Sequence, residues 1–197
     1  ADGHLFKEEE FGTSDTLSPR ACYDEGKRFA ESFCQTYADV NAIDIRIARI
    51  FRTYGPRMPL FDGQMIPDFI TNALDGKDLE IYGDETFRTS LVYVDDVVDG
   101  LIKFMAAGDA LKVVNIGSDL DVLLSDVAHR IIEMTGSRSS IVFKPALLFM
   151  SQLGLPDLTR AKERLGWIPL ISLDEGLKRT IEYAMAHKSL LSFRSIG

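Results

Sequence analysis

The stretch SPRACYDEGKRFAE, residues 18–31, decides how the fold is read, and it is an unusual way to begin a helix because it holds few strong helix formers. Ser18 is a residue type that caps helices, and Pro19 suits the first helical position. Apolar or small residues then recur at helical spacing through the following turns. The sequence therefore predicts a helix that starts at Pro19 and runs to about Asp39.

Tyr23 and Lys27 lie four residues apart and share one face of the predicted helix. A phenol has a reference pKa of about 10 and serves as a base at neutral pH only where a nearby cation stabilises the phenolate. The spacing alone is weak evidence, because it also arises by chance. Gly26 costs about 1 kcal/mol relative to alanine in a helix interior. Either it lets another group approach the reactive pair closely, or it is a tolerated packing contact.

Beyond this helix, stretches in which apolar residues recur at helical spacing alternate with stretches that have the two-residue alternation of a β-strand. IDIRIARIF, residues 43–51, is typical of a strand entering a covered sheet, and the TYGPR turn ends it. Apolar stripes and β-branched runs predict helices around 66–73, 95–105, 124–136, 158–166 and 172–184, and strands at 79–82, 90–94 and 113–117. This alternation predicts an α/β fold.

Several helix ends carry recognisable signals. Asp95 is expected to cap one helix, and Ser172 with Glu175 forms a capping-box pattern at the start of the last. Gly136 and Gly166 are expected to end their helices in the left-handed conformation. These signals divide the chain into short, well-delimited elements.

Composition excludes some function classes. The chain has 197 residues, a net charge of −8 and only two cysteines. A basic surface for nucleic acid or an anionic membrane is therefore not expected, and a reducing, cytoplasmic setting is the default. No apolar run reaches the length of a membrane span, and the first residues do not resemble a signal peptide. The acidic run at 8–10 predicts a solvated face.

Other residues receive structural interpretations. His4, His129 and His187 are scattered without metal-ligand spacing, so no metal site is predicted. Trp167 is expected to pack in the core. LLFM, residues 147–150, fits either the core or a nucleotide-base pocket, with the core favoured.

The glycine-rich loop of dinucleotide-binding folds is missing. None of the 15 glycines forms even a G-x-G pair, and there is no P-loop. The sequence begins with a polar segment and a helix, without preceding strands. We therefore expect a fragment of a longer protein; the alternative is a complete small domain whose sheet begins at Ile43.

The motifs occur in the order and spacing of a known family. The helix stretch at 18–31 resembles the active-site helix of the extended short-chain dehydrogenase/reductase superfamily, and within it the UDP-glucuronate decarboxylase branch. The resemblance continues through RIARIFRTYGPRM, FDGQMIPDFI, IYGDETFRTSLVYVDDVVDGL, VVNIGS and LPDLTRAKERLGWIPLISLDEGLKRTIEY. It covers the chain from about Ser18 to Ala184.

The resemblance implies the C-terminal part of a Rossmann-like fold with a smaller α/β substrate lobe. Residues 1–58 would be the rear part of the NAD-binding domain with the active-site helix. Residues 59–197 would form mainly the nucleotide-sugar-binding lobe, with about 93–117 returning to the cofactor sheet. The isolated chain would then be inactive.

The resemblance also implies the chemistry. The residue matching Tyr23 removes a proton from the sugar 4-hydroxyl while NAD takes the C4 hydride, and the residue matching Lys27 stabilises the tyrosinate and holds the nicotinamide ribose. Thr53 would lie near the cofactor. Independently of the resemblance, four arginines around the TYGPR turn and in the later hairpin are placed where they could clamp a diphosphate, namely Arg49, Arg52, Arg57 and Arg88. Of these, Arg52 and Arg88 are expected to bind the UDP-sugar. With a uronic acid, the 4-keto form is a β-keto acid that can lose carbon dioxide.

The chain departs from the decarboxylase pattern at several positions. That branch usually has Asn at 52, Arg at 64 and 89, and basic residues at 154 and 155, where this chain has Arg52, Gln64, Thr89, Gly154 and Leu155. The sugar and the reaction therefore stay open between decarboxylation, 4-epimerisation and 4,6-dehydration. A non-catalytic module that binds a nucleotide or a partner is a further alternative.

Two expectations concern surfaces. Arg88 would point to the strand face opposite Thr89 unless the register shifts. The family commonly dimerises through the tyrosine helix, so the Phe29 and Phe33 stripe is expected either to form a homodimer contact or to be buried within the chain.

Overall fold

The computed structural model describes residues 4–60, 63–108, 111–147 and 154–191, with side chains up to His187. The helices are α1 (Ala21–Asn41), α2 (Met65–Leu74), α3 (Val94–Ala106), α4 (Leu124–Thr135), α5 (Thr159–Leu165) and α6 (Leu173–Leu191). The strands are β1 (Leu5–Phe6), β2 (Ile47–Ile50), β3 (Thr53–Tyr54), β4 (Leu79–Tyr82), β5 (Arg88–Thr89), β6 (Val92–Tyr93), β7 (Val113–Ile116), β8 (Val122–Leu123), β9 (Ile141–Lys144) and β10 (Leu155–Pro156).

The strands pair across long sequence separations, mostly in parallel. β1 pairs with β10, β2 with β7, β3 with β6 and β4 with β9, all in parallel, while β5 and β8 are antiparallel. The register sets Ile47 opposite Val113 and Ile50 opposite Ile116. Parallel pairs need helical crossovers, which agrees with the predicted α/β alternation.

The segment from β2 to β3 changes its strand partner. After β2 leaves β7, the N–H of Val92 donates to the carbonyl of Arg52 (3.0 Å), and β3 then continues along β6. Arg52 and Thr53 thus lie just past the carboxyl end of β2, where open α/β sheets commonly bind ligands.

Two apolar clusters form the core. The larger joins α2, α4 and α6 with β3, β4 and β6, and the smaller joins α3 and α5 with β7. Trp167 is fully buried in the smaller cluster, as expected, and its Nε1–H donates to the carbonyl of Asp96 (3.0 Å). The Asp96 carboxylate accepts the N–H groups of Leu170 and Ile171 (3.0 and 2.9 Å). These bonds hold the chain after α5 against the start of α3.

Helix α1 lies largely outside these clusters. Ala21 is its one buried residue. The helix is tied to β2 by a bidentate ion pair between Arg49 and Glu31, both at 2.8 Å. Arg28 reaches the carbonyl of Phe11 (2.6 Å), which attaches the segment before α1.

The predicted start of α1 is wrong by two residues. The N–H of Ala21 donates to the carbonyl of Ser18 (3.0 Å), so residues 18–20 form a turn and the helix begins at Ala21. Arg20 occupies the cap position, and no side chain caps the helix. Asp95 likewise is not a cap, because α3 begins one residue earlier; it lies in the first turn, where a negative charge complements the helix dipole.

The other helix ends agree better with the sequence. The N–H of Glu175 donates to Ser172 Oγ (3.3 Å), but the Glu175 carboxylate binds Arg179 (2.7 Å), so half of the capping box is present. Gly136 and Gly166 end α4 and α5 with φ of 62° and 58°, which confirms both predictions.

The acidic run at 8–10 is only partly solvated. Glu8 is buried and accepts the backbone N–H of Asn115 (2.8 Å). Glu9 pairs with Arg160, and Glu10 accepts a hydrogen bond from His4 (2.9 Å). The predicted solvated face is therefore wrong for Glu8, whose carboxylate fastens the N-terminal segment to β7.

Within the described ranges, no helix is both long and apolar enough to cross a bilayer, and no cluster of His, Cys, Asp or Glu could hold a metal ion.

Candidate active site

Tyr23 and Lys27 lie together on the exposed first turns of α1. The Tyr23 side chain is 54% exposed, and the Lys27 ammonium lies 5.5 Å from the centroid of its ring. The Arg20 guanidinium lies over the same ring at 4.6 Å and pairs with Asp24 at 2.9 Å. The phenol therefore has two cations beside it and remains open to solvent.

A cavity of about 410 Å³ opens next to this group. Its walls come from the start of α1, the β2–β3 junction, α2, β4 and the approaches to β5 and α4; the lining residues are Arg20, Arg52, Thr53, Met58, Gly63, Gln64, Met65, Ile66, Asp68, Phe69, Glu80, Tyr82, Phe87, Leu124 and Leu147. Arg20 thus belongs both to the cavity wall and to the surroundings of Tyr23. Leu147 is the described member of the 147–150 segment, and the rest of that segment lies outside the described residues.

Thr53 faces the cavity from β3. Its hydroxyl donates to the carbonyl of Phe51 (2.9 Å), which fixes the side chain at the end of β2 and leaves the lone pairs of its oxygen as acceptors. This position suits a group that contacts the hydroxyls of a bound ligand.

Arg52 is the cavity's partly buried cation. Its Nη1 donates to Thr89 Oγ1 (3.1 Å) and approaches Met65 Sδ (3.9 Å), while no carboxylate among the described residues forms an ion pair with it. Burial lowers the pKa of Arg52, and the positive charge of Arg20 lowers it further.

The other arginines near this turn have different surroundings. Arg49 is paired with Glu31, whose hydrogen bonds raise the pKa of Arg49. Arg88 is exposed and pairs with Asp121 at 2.5 Å outside the cavity. The alternation of its strand predicts this orientation, since the neighbouring Thr89 is buried and faces Arg52.

The structure thus groups the predicted site residues unequally. Arg52 and Thr53 line the cavity, whereas Arg88 does not. Tyr23 does not line it but contacts Arg20, which does, and Lys27 lies near the Tyr23 ring. Sequence reasoning missed Arg20. Its signal was its position three residues before Tyr23, which places both on one side of the chain as the helix begins.

The residues present suit part of a dinucleotide cofactor. The exposed phenol and ammonium of Tyr23 and Lys27 and the hydroxyl of Thr53 are the donors and acceptors that a nicotinamide ribose requires. A backbone cradle for the pyrophosphate is not offered by this chain, because its glycines form no G-x-G pair.

Comparison with known proteins gives concordant matches. The model of the NAD dependent epimerase/dehydratase family matches residues 1–117. UDP-glucuronic acid decarboxylase 1 of Danio rerio is 39% identical over 180 residues, which are 91% of this chain and 43% of the relative. UDP-glucuronic acid decarboxylase 5 of Arabidopsis thaliana is 39% identical over 174 residues, 88% of this chain and 51% of the relative. The chain spans about half the length of the curated relatives it matches.

Solved structures of similar fold point to the same family. The UDP-glucose 4-epimerase of Thermotoga maritima, solved with UDP-glucose, is 33% identical with a TM-score of 0.77 over 85% of this chain and 54% of that one. The Bordetella bronchiseptica enzyme WbmF, solved with NADH, is 26% identical with a TM-score of 0.80 over 95% of this chain and 59% of that one. The predicted α/β, Rossmann-like class of the extended short-chain dehydrogenase/reductases is confirmed. With its tyrosine helix, its parallel strand pairs and a family match over residues 1–117, this chain belongs to the NAD dependent epimerase/dehydratase family.

Proposed function

We propose that this chain supplies the catalytic helix and the nucleotide-sugar-binding part of an NAD-dependent enzyme that modifies UDP-sugars, with UDP-glucuronate decarboxylation as its reaction. The observation that carries the proposal is the solvent-open phenol of Tyr23 with Lys27 and Arg20 close to its ring, since Arg20 also lines a cavity together with Thr53 and Arg52. The sequence identity of 39% with each of two UDP-glucuronic acid decarboxylases supports decarboxylation over epimerisation and dehydration.

The roles of the side chains follow from their positions. Tyr23, as the phenolate, would accept the proton of the sugar 4-hydroxyl and return it at the end of the cycle. Lys27 and Arg20, both beside the ring, would stabilise the phenolate by their charge. Bound NAD would contribute the acceptance and return of the C4 hydride. Tyr23, Lys27 and Thr53 would hold the ribose next to the nicotinamide.

Decarboxylation needs little more from the protein. Once C4 of a uronic acid is a ketone, the C6 carboxylate is β to it. The carbon–carbon bond electrons can then flow into the carbonyl as carbon dioxide leaves, and the resulting enolate takes up a proton. The protein must hold the sugar in place through this step, and cations near the sugar would do so.

Three alternatives stay open, and two of them have specific support. A 4-epimerase would use the same tyrosine and cofactor without loss of carbon dioxide, and the likeness to the Thermotoga maritima epimerase favours it. A 4,6-dehydratase would share the oxidation at C4. A non-catalytic nucleotide-sugar-binding module is favoured by the missing glycine loop and by Gln64 and Thr89 in place of arginines.

The division of the chain belongs to the same proposal. Residues 1–58 would be the rear of the NAD-binding domain, and 59–197 mainly the substrate lobe. The pairing of β2 with β7 supports a return of about 93–117 to the cofactor sheet. Arg52 would bind substrate; Arg88 would do so only if its pair with Asp121 opened.

We also propose a cytoplasmic homodimer. Phe29, Phe33 and Tyr37 form an exposed stripe on α1, with ring centroids 5.9 and 6.0 Å apart. Contiguous exposed apolar side chains of this kind typically mark a surface that contacts another protein surface. The alternative is that the stripe packs against further residues of a longer chain, and light scattering at high concentration distinguishes the two.

The first experiment is turnover by the full-length gene product. With UDP-glucuronate and NAD, we expect carbon dioxide and a UDP-pentose, followed by proton NMR, and we expect Tyr23→Phe to lower kcat by at least about 100-fold because it removes the proton acceptor. Tyr183→Phe on α6, where the ring stacks on His187 at 4.2 Å, is the matched control and should retain full activity.

The outcomes separate the candidate functions. A UDP-hexuronate product in place of the pentose would identify an epimerase. UDP-sugar binding without NAD binding or turnover would favour the non-catalytic module, and unchanged turnover in Tyr23→Phe would reject the mechanism.

A further inference from the structure

Three side chains of α1 form one row along the helix. Tyr23, Lys27 and Glu31 follow one another at intervals of four residues, so they lie on the same face about one turn apart. The proposed chemistry uses Tyr23 and Lys27 and gives Glu31 no role. Glu31 instead joins this face of α1 to the sheet, because its two carboxylate oxygens accept hydrogen bonds from Nε and Nη2 of Arg49, both at 2.8 Å.

Arg49 is occupied by contacts within the protein. Its Nη1 donates to the carbonyl of Glu8 (3.0 Å), and the Glu8 carboxylate accepts the backbone N–H of Asn115 (2.8 Å). Asn115 in β7 is the register partner of Arg49 in β2. Each nitrogen of the guanidinium thus has an acceptor, and the network joins α1, the N-terminal segment and both strands. We therefore expect Arg49 to act on the position of α1 and not on the diphosphate of a ligand.

The ion pair fixes how far α1 is displaced along β2. From Glu31 back to Tyr23 the helix spans about 12 Å, at about 1.5 Å per residue. From Arg49 on to Thr53 the extended chain spans about 13 Å, at about 3.3 Å per residue. Both spans lead in the same direction, because residues 42–46 turn the chain back between α1 and β2. Tyr23 and Thr53 are therefore brought to the same level along the strand.

Few other contacts fix this alignment. Ala21 is the one buried residue of α1, and Arg28 binds backbone carbonyls of the segment before the helix, not of the sheet. A helix that packs so few side chains against the core resists a small shift only weakly. The cavity agrees with the alignment, since Arg20, whose guanidinium lies 4.6 Å from the centroid of the Tyr23 ring, lines the same cavity as Thr53.

We infer that Glu31 and Arg49 are positioning residues, whose ion pair aligns α1 on β2 so that Tyr23 lies level with Thr53. The inference rests on the proposed function and goes beyond it, because it assigns a role to two residues outside the cavity wall. An ion pair between partly exposed groups adds little to stability. A displacement of about 1 Å at a reacting group can nevertheless lower a rate by about 100-fold. Loss of the pair should therefore affect turnover much more than stability.

The test is steady-state turnover of UDP-glucuronate by the full-length gene product with NAD. Glu31→Gln removes the negative charge, and Arg49→Lys keeps the positive charge but loses the two parallel hydrogen bonds. Each variant should lower kcat by about tenfold or more and change KM for the UDP-sugar by less than about threefold, because the groups that contact the sugar are unchanged. The double variant should lower kcat no further than either single one, since both break the same pair.

The matched control is Arg130→Lys, which makes the same change in an ion pair with Asp174 between α4 and α6 and should keep the kcat of the parent enzyme. Parent-like kcat in both Glu31→Gln and Arg49→Lys would overturn the inference. So would losses that multiply in the double variant, which would show that the two residues act separately. A fall in kcat that is explained by unfolding, measured as the melting temperature, would also overturn it and assign the pair to stability.

Failure of the proposed function gives a different result. A full-length parent enzyme without turnover rejects that function, and amide hydrogen exchange of the 197-residue chain then tests the alignment alone. In Glu31→Gln, exchange in the first turns of α1 should become faster by about tenfold, because those turns lose their attachment to β2, while exchange in α2 stays unchanged. Unchanged exchange in α1 would overturn the inference.

Discussion

Helices α1 and α2 contrast sharply in how they use their side chains. The 21-residue α1 buries Ala21 and exposes its aromatic stripe, whereas the 10-residue α2 buries six residues, four of them in the larger cluster. α1 is held mainly by the Arg49–Glu31 ion pair, and α2 is held by apolar contacts with α4 and α6. Tyr23 and Lys27, the proposed catalytic pair, thus lie on the helix that contributes little to the core.

This contrast separates chemistry from stability in the molecule. A surface ion pair contributes little, with a median of about 0–1 kcal/mol, while each large buried side chain contributes several times more. In the isolated chain we therefore expect α1 to open locally at a lower free energy than α2. Substitutions of the same type in the two regions measure the difference directly.

The largest effect is expected from one pair of phenylalanines. Phe69→Ala in α2 removes a side chain that is 3% exposed and leaves a cavity, at a cost of about 3–5 kcal/mol in the free energy of unfolding. Phe33→Ala in α1 removes a ring that is 56% exposed and should cost about 1 kcal/mol or less. Urea denaturation followed by circular dichroism measures both.

Equal losses of unfolding free energy in Phe69→Ala and Phe33→Ala would contradict the contrast between α2 and α1. They would mean that the face of α1 is covered in solution, and the Phe33→Ala cost would then depend on protein concentration if a second copy covers it.

A pair of glycines should give effects of opposite sign. In α6, a methyl group at Gly176 would collide with the hydroxyl of Tyr54 and come within 2.9 Å of the Tyr93 ring, so Gly176→Ala should destabilise by about 1–3 kcal/mol. In α1, a methyl group at Gly26 would meet no atom within 4 Å, so Gly26→Ala should stabilise the isolated chain by about 0.5–1 kcal/mol.

The Gly26 result also decides between the two interpretations of that residue. The packing contact is not present among the described residues, since a Cβ at Gly26 would meet no atom within 4 Å apart from its own stretch of helix backbone. If Gly26 serves close approach, Gly26→Ala should raise the melting temperature of this chain and lower NAD affinity in the full-length protein. If Gly26→Ala lowers the melting temperature of this chain instead, the space around Gly26 is not open in solution.

What the sequence predicted well was local. The apolar stripe of α2 and the terminal glycines Gly136 and Gly166 depend on neighbouring residues, and the structure confirms them. The caps at Ser18 and Asp95 failed although both residue types are good caps, because the backbone turn that precedes each helix decides which residue occupies the cap position.

What the sequence could not predict depends on distant partners. Glu8 looks like part of a charged surface run, and its burial follows from a hydrogen bond to Asn115, 107 residues away. Arg52 and Arg88 are the same residue type and were both predicted to bind substrate. Strand pairing, however, directs Arg52 toward the cavity, while Arg88 pairs with Asp121 outside it. Helical spacing and the family resemblance predicted the Tyr23–Lys27 pair, while Arg20 was identified only from the structure, by its contact with the Tyr23 ring and its place in the cavity wall.

The smallest effect is expected at Asp44, which lies between α1 and β2. Just before β2, its carboxylate accepts hydrogen bonds from Lys112 Nζ (2.6 Å), just before β7, and from Arg46 Nη2 (3.0 Å). These bonds lower the pKa of Asp44 below the reference of about 3.9. The stabilisation is present above that value and is lost as pH falls through the lower folded-state pKa. Asp44→Asn should therefore unfold at slightly lower urea than the parent chain at pH 7, and the gap should close toward pH 2. Asp99→Asn, which breaks a pair with Lys103 inside α3, is the control for loss of one surface charge. A gap that stays constant down to pH 2 would show that this carboxylate does not couple β2 to β7.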